Sequence, residues 1–372
     1  MPYSIGVVMA FFLAVILAGK KNRSQADTFL AFWLFFLGFH LLPYQFLIAG
    51  PIENYTLLLG LELPVPLVHG PFLYLYVRAL TQENRVKESF VWHFLPFAAG
   101  LLSLILFFLL PEAEKIRVYQ QQGAGYEVLL SVMYAAILVS GVLCCLLSLR
   151  LFVRYQKRIS EQFSYTERIN LSWLRYLILG SGVVWTVVIV AEDQQIYGAI
   201  VGYTMFIGYF GIKQVGVFTN PTAMEANSSL EAEPVSLTGE EPEKPKYEKS
   251  TLTASQIEGI HRELSLVMEE EKLFTDPELS LAQLGEHLNV HPNTLSQVIN
   301  TVEQRNFFDY INRLRVEEFK RLVLDKKNES ATLLALAFDC GFNSKTSFNR
   351  NFKKATGLSP SEFLEQTHLG RG

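Results

Sequence analysis

The chain has 372 residues, of which half are hydrophobic and 18% are charged, with a formal net charge of −4 at pH 7. A mean hydropathy of +0.21 argues against an ordinary soluble protein. The cysteines Cys144, Cys145 and Cys340 have neither metal-ligand nor disulfide spacing, so we expect no metal and no cofactor.

Apolar stretches dominate the first 217 residues, and each is near the ~20 residues that a helix needs to cross a bilayer. We interpret them as a bundle of seven transmembrane helices. The first and last stretches are the shortest, so six spans is an alternative. The stretches are 3–19, 27–49, 55–80, 91–110, 127–153, 171–191 and 196–212.

The charges between these stretches predict the orientation. The loops after the second, fourth and sixth stretches hold only Lys115 and Arg117 between them, and those at 51–54 and 192–195 contain no Lys or Arg. Under the positive-inside rule, this asymmetry predicts a multi-pass protein of the bacterial inner membrane, with a periplasmic N-terminus and a cytoplasmic C-terminal domain. Basic residues are concentrated after the first, third and fifth stretches: Lys20, Lys21, Arg23, Arg85, Lys87, Arg154, Lys157, Arg158 and Arg168.

Ionisable groups at membrane depth are functional candidates, because burying them in hydrocarbon is costly. Three prolines between 62 and 74 would break or bend a helix there, as happens where backbone lines a cavity. The alternative is a kinked packing helix whose polar groups bond to neighbours. No protease or hydrolase motif is present, so we expect no enzyme. The predicted pocket for an unknown small molecule comprises Glu62, His69, Tyr74 and His93.

A polar, Pro-rich segment at 218–250 separates this sensor domain (1–217) from a C-terminal domain (251–372). It lacks apolar periodicity, so we predict a disordered linker. A disordered linker cannot transmit a rigid-body movement from the sensor domain to the C-terminal domain. It therefore favours signalling through oligomerisation or proximity.

The C-terminal domain contains two copies of one pattern, at 280–302 and 332–354. A small residue, Gly285 or Ala337, stands where two short helices must cross closely. Each second helix then buries an i, i+4 apolar pair, as expected of a helix-turn-helix whose second helix enters the major groove. The residues left on the open faces are Asn293, Thr294, Ser296, Gln297 and Asn300 in the first copy, and Lys345, Thr346, Asn349, Arg350 and Lys353 in the second.

These motifs resemble those of the AraC/XylS family of bacterial transcription regulators. The resemblance covers about 279–366 and rests on the spacing from Ala337 through Gly341, Phe348 and Gly357 to Phe363, and on the run 306–316. It implies binding, as a monomer or homodimer, to two adjacent major-groove segments of double-stranded DNA. The order of an apolar N-terminal domain, a linker and a C-terminal DNA-binding domain is similar to that of membrane-anchored regulators of that family.

The first copy departs from the usual pattern, because its second helix is uncharged between 292 and 302. We therefore expect affinity for the DNA backbone to depend on the second copy, with Asn293 and Gln297 suited to adenine edges. The resulting interpretation is an all-α, membrane-bound, sequence-specific transcription regulator that couples a membrane or extracytoplasmic signal to gene expression. The alternative is a transporter or intramembrane enzyme with an accessory DNA-binding domain.

Overall fold

The computed structural model describes residues 2–21, 23–81, 88–165, 171–213, 252–328 and 330–369. In these ranges the regular structure is helical, apart from an isolated bridge between Phe163 and Ser280. This confirms the all-α class. The described residues form two compact units: an N-terminal unit of 2–155 and 171–213, and a C-terminal unit of 156–165 and 252–369. The predicted linker at 218–250 lies outside the described residues.

The N-terminal unit is built from apolar helices. Short 3-10 helices at Ile52–Leu58 and Glu88–Phe94 interrupt them. The last turns of the longest helix, α7, belong to the C-terminal unit. The helices are α1 (Pro2–Ala18), α2 (Gln25–Ala49), α3 (Pro66–Thr81), α4 (Leu95–Ser103), α5 (Ile105–Phe108), α6 (Glu112–Gln120), α7 (Glu127–Gln162), α8 (Ser172–Val190) and α9 (Asp193–Lys213).

Among the described residues, three helices are long and apolar enough to cross a membrane: Gln25–Ile48, Glu127–Gln162 and Trp173–Val190. The stretches 55–80 and 91–110 are not single helices. The first breaks where Gly60 adopts a positive φ of 83°, and α3 begins only at Pro66. The seven-span bundle is not confirmed and stays a prediction.

The surface of α7 is apolar over most of its length. Val128, Val132, Val139 and Leu146 are each at least 60% exposed, although all four are hydrophobic. Exposed apolar patches of this extent mark an interaction surface, because isolated soluble proteins rarely tolerate them.

The C-terminal unit packs around two cores that share one helix. The N-terminal half of that helix, α13, buries Phe307 and Ile311 in the first core, and its C-terminal half buries Val316 and Phe319 in the second. The helices are α10 (Ala254–Glu270), α11 (Leu281–His287), α12 (Pro292–Glu303), α13 (Phe307–Val323), α14 (Leu333–Asp339), α15 (Lys345–Thr356) and α16 (Pro360–Leu369).

Two glycines allow the backbone to approach closely in these cores. A Cβ on Gly285 of α11 would lie 2.7 Å from the carbonyl oxygen of Val290, as expected of a small residue at a helix crossing. Gly341, after α14, has φ +90°, and a Cβ there would lie 2.7 Å from the carbonyl oxygens of Phe274 and Thr275. Glycine alone among residues adopts such a φ without steric cost.

Candidate functional site

The second helix of the first copy, α12, presents a polar face that is free of basic residues. Its start is fixed by Pro292 and by His291, whose Nδ1 accepts from the backbone N–H of Asn293 at 3.2 Å. Leu295 and Ile299 are fully buried, which turns the opposite face outward. On that face Asn293, Gln297 and Asn300 are exposed, while Thr294 and Ser296 are half-buried.

The second helix of the second copy, α15, presents a basic face. Ser344 caps it, its hydroxyl accepting from the N–H of Ser347 at 3.1 Å. Phe348 and Phe352 pack against Phe319 in the core, so these rings have no free face for stacking on bases. The five residues predicted to contact DNA from this helix are all exposed: Lys345, Thr346, Asn349, Arg350 and Lys353.

Contacts with α13 divide the basic residues of α15 into two kinds. Lys354 donates to Asp309 at 2.7 Å, so its charge is locally compensated. The Arg350 guanidinium lies 5.9 Å from the centre of the Phe308 ring, a cation–π contact with a neutral side chain. The face of α15 is therefore electropositive, as a surface for phosphates requires.

A buried polar cluster lies where α13 passes between the two cores. We call it the Ser164 cluster; its members are Ser164, Asn312, Arg315 and Asn351, each at most 4% exposed. Arg315 donates to the carbonyl of Ser164 at 3.2 Å and to its hydroxyl at 3.1 Å. Asn312 donates to the same carbonyl at 3.0 Å.

The cluster connects the segment after α7 with both halves of the DNA-binding unit. Ser164 donates to the carbonyl of Leu279 from its N–H at 3.2 Å and from its hydroxyl at 2.6 Å. On the other side, Asn351 of α15 donates to Asn312 at 3.4 Å. A continuous set of hydrogen bonds thus runs from residue 164 to α15. Sequence reasoning missed this segment, because a lone serine after an apolar helix gives no signal.

A second candidate site is a cavity of about 610 Å³ inside the N-terminal unit. Glu62 and His69 line it, as predicted for a ligand pocket. His40, which had no role in that prediction, contributes Nδ1 at 3.0 Å from Nε2 of His69.

The other two residues assigned to the predicted pocket do not line this cavity, and their assignment to a ligand site stays a prediction. Tyr74 and His93 are not among the residues that line this cavity, and their rings stack on each other with centroids 5.5 Å apart. For Tyr74 the physical reason is helical geometry. It follows His69 by five positions on α3, so its side chain lies roughly 140° around the helix axis from that of His69.

Comparison with known proteins agrees with the geometry of the C-terminal unit. Residues 284–366 match the helix-turn-helix domain family. The C-terminal unit therefore contains an AraC-type helix-turn-helix domain, the class found in DNA-binding transcription regulators.

The relatives resemble this domain only. The chain is 31% identical over 90 residues to the uncharacterized HTH-type transcriptional regulator YijO of Escherichia coli K12, covering 24% of this chain and 31% of the relative. It is 34% identical over 82 residues to the regulator YobQ of Bacillus subtilis 168, covering 22% and 33%. The chain thus spans about a third of the length of these relatives. A solved structure of a protein of unknown function from Listeria innocua is 30% identical, covers 28% of this chain and 92% of its own, and superposes with a TM-score of 0.24.

Proposed function

We propose that this protein is a membrane-anchored transcription regulator that binds double-stranded DNA in two adjacent major-groove segments. The observation that carries the proposal is the pair of exposed polar faces on α12 and α15, within a domain that matches the helix-turn-helix family. The two helices have different roles. The basic α15 supplies affinity for phosphates, and the uncharged α12 reads base edges through groups such as Gln297.

The N-terminal unit supports the membrane part of the proposal. It contains the three helices that are long and apolar enough to span a bilayer, and the exposed side chains of α7 are those that lipid tails would cover. The placement of basic residues between apolar stretches favours a periplasmic N-terminus and a cytoplasmic DNA-binding unit in a bacterial inner membrane. The role of this unit is sensory, and no catalytic step is proposed.

The Ser164 cluster supports coupling between signal and DNA. Residues 156–165 comprise the last turns of α7 and the residues directly after it, and within the C-terminal unit Ser164 contacts α13 and the segment before α11. A shift of this segment would disturb Asn312 and, through it, Asn351 on α15. We propose that it, in addition to the linker, carries the signal to the DNA-binding helices.

Mapping of DNA occupancy across the genome in intact cells tests the proposal. Cells would express the full chain, or a variant in which Lys345, Arg350 and Lys353 are all alanine. We expect discrete occupied sites for the wild type, loss of these sites in the variant, and a C-terminal tag accessible only from the cytoplasm. Mass photometry of the chain in nanodiscs, with and without a recovered site, distinguishes a monomer from a homodimer. Uniform occupancy or a periplasmic tag would refute the proposal.

A further inference from the structure

The cavity of the N-terminal unit has an acidic and aromatic lining. Two carboxylates contribute to it, from Glu62 and from Asp193 at the start of α9, while its described lining residues include no Lys or Arg. Aromatic side chains cover much of the remaining wall. They are Trp33, Tyr44, Phe107, Tyr119, Tyr126, Tyr134, Trp185, Tyr197 and Tyr203.

Several buried polar atoms of this lining lack a hydrogen-bond partner among the residues that the structure describes. One carboxylate oxygen of Glu62, Nδ1 of His69 and Nε1 of Trp33 are each buried without a hydrogen bond. Leaving a buried polar group unpaired costs about 1–3 kcal/mol, and more for a charged one, so such groups mark places where a ligand completes the bonding. Glu62 itself is only 9% exposed, and its carboxylate oxygen is the atom of the three that a positively charged group suits best, because Nε1 of Trp33 can only donate a hydrogen bond.

We propose that this cavity binds an organic cation, an amine or quaternary ammonium group on an apolar body. Glu62 attracts its charge in a site where little water screens it, and Asp193, which is exposed, adds a second negative charge to the lining. The aromatic rings stabilise the same charge through their faces and bury the apolar body. A volume of about 610 Å³ suits a molecule of this kind, since sites for small molecules commonly measure about 300–1,000 Å³. Anions of equal size are disfavoured, because the described wall supplies no cationic side chain.

The lining also indicates the side from which the ligand enters. It includes Ile52 from the segment after α2, Tyr119 and Gln122 from the segment around α6, and Asp193 from the segment where α9 begins. All three segments are loops that the distribution of Lys and Arg predicts to be extracytoplasmic. The inference therefore deepens the sensory role proposed above, and rests on it, by naming the class of molecule that is sensed.

Binding to the full chain in nanodiscs of zwitterionic lipid tests the inference without DNA. The probe is benzyltrimethylammonium, and neopentylbenzene, in which carbon replaces the nitrogen, is its uncharged counterpart. Phenylmethanesulfonate is the anionic counterpart. Quenching of tryptophan fluorescence and calorimetry report binding, with protein-free nanodiscs subtracted. We expect the cation to bind saturably at one site and the anion not to bind.

Two variants assign that binding to the cavity. Glu62→Gln should weaken binding of the cation at least tenfold and leave binding of the uncharged counterpart unchanged. Glu112→Gln, an exposed carboxylate on α6, should bind the cation like the wild type. If Glu62→Gln does not fold, Asp193→Asn replaces it and should weaken binding of the cation but not of the uncharged counterpart, by less than tenfold because Asp193 is exposed.

Equal binding of the cation and its uncharged counterpart would overturn the inference. So would full affinity for the cation in Glu62→Gln or, where Asp193→Asn replaces it, in Asp193→Asn. Because the assay contains no DNA, its failure would leave the proposed DNA-binding function intact. Loss of DNA occupancy would likewise leave the binding result intact.

Discussion

Arg315 and Ser164, which are 151 residues apart in the chain, form a buried two-point contact. Two guanidinium nitrogens of Arg315 donate to the carbonyl and the hydroxyl of Ser164, and Arg315 also donates to the carbonyls of Phe274 and Asp276 at 2.7 and 2.6 Å. A buried charge is tolerated only when it is well hydrogen-bonded. The segment after α7 therefore supplies two of the hydrogen-bond acceptors that stabilise the buried charge of this arginine.

Replacement of Ser164 by alanine should loosen the DNA-binding unit locally. The variant loses the hydroxyl contacts with Arg315 and Leu279, worth about 1–3 kcal/mol where one partner is charged. Hydrogen exchange measured by mass spectrometry on the full chain in nanodiscs should be about tenfold faster in peptides covering 273–279 and 307–315, since 1.4 kcal/mol corresponds to a tenfold change.

The matched control is Ser160→Ala. Among the described residues, the hydroxyl of Ser160 bonds to the carbonyl of Lys157 in its own helix, so exchange in both peptides should stay at the wild-type rate. Unchanged exchange in the Ser164 variant, or the same acceleration in both variants, would contradict a structural role for the Ser164 contact.

Arg350 is expected to contribute to DNA affinity regardless of sequence. It is exposed on α15, and its guanidinium lies 5.9 Å from the centre of the Phe308 ring. Arg350→Ala should weaken binding to all duplexes and lower the slope of log affinity against log salt by about one, the effect of losing one phosphate contact. Fluorescence anisotropy titrations at several salt concentrations measure that slope.

Lys354→Ala is the control for charge alone. It removes the same unit of charge from α15, but its partner Asp309 already compensates that charge. Its slope should change clearly less than that of Arg350→Ala. Equal slopes for the two variants would show that the contact to phosphate had been assigned to the wrong residue.

Gln297 should affect sequence preference more than overall affinity. Its side chain is exposed on the uncharged face of α12, and an amide can pair with both groups on the edge of adenine. Gln297→Ala should cost about 1–3 kcal/mol on the preferred duplex at one base pair and almost nothing on other duplexes. Selection of random duplexes by the wild type and the variant would show whether preference at one position is lost. An equal decrease on every duplex would make Gln297 a backbone contact instead.

Local rules predicted the two helix-turn-helix units because each rule acts over a few residues. The cap at Ser344 and the burial of Leu295, Ile299, Phe348 and Phe352 depend on i, i+3 and i, i+4 spacing, and the structure agrees with them. Lys354 shows the limit of this reasoning. Its stretch of sequence contains no acid, yet Asp309, 45 residues earlier, pairs with it.

The features that local rules missed depend on distant parts of the chain. The role of Ser164 requires Arg315 to approach it, and no periodicity in the sequence encodes that approach. In the cavity, Glu62 was predictable from the cost of a carboxylate in an apolar stretch. The same reasoning marks His40, but it does not show that His40 of α2 and Asp193 of α9 line the same cavity as Glu62.

Gly341 offers a test of the second helix-turn-helix unit, with Cys340 as its reporter. Burial raises the pKa of the Cys340 thiol to about 12, and its side chain is inaccessible, so a maleimide at pH 7.5 should react only after local unfolding. In a background with Cys144 and Cys145 replaced by alanine, Gly341→Ala should speed this labelling at least tenfold, because φ is +90° and the new Cβ would collide with two carbonyl oxygens.

Gly259→Ala is the control, and its effect on stability should have the opposite sign. A Cβ at Gly259 of α10 would meet open space, so alanine should stabilise that helix by about 0.5–1 kcal/mol. Slow labelling in both variants would mean that the packing of Gly341 does not limit the opening of this unit.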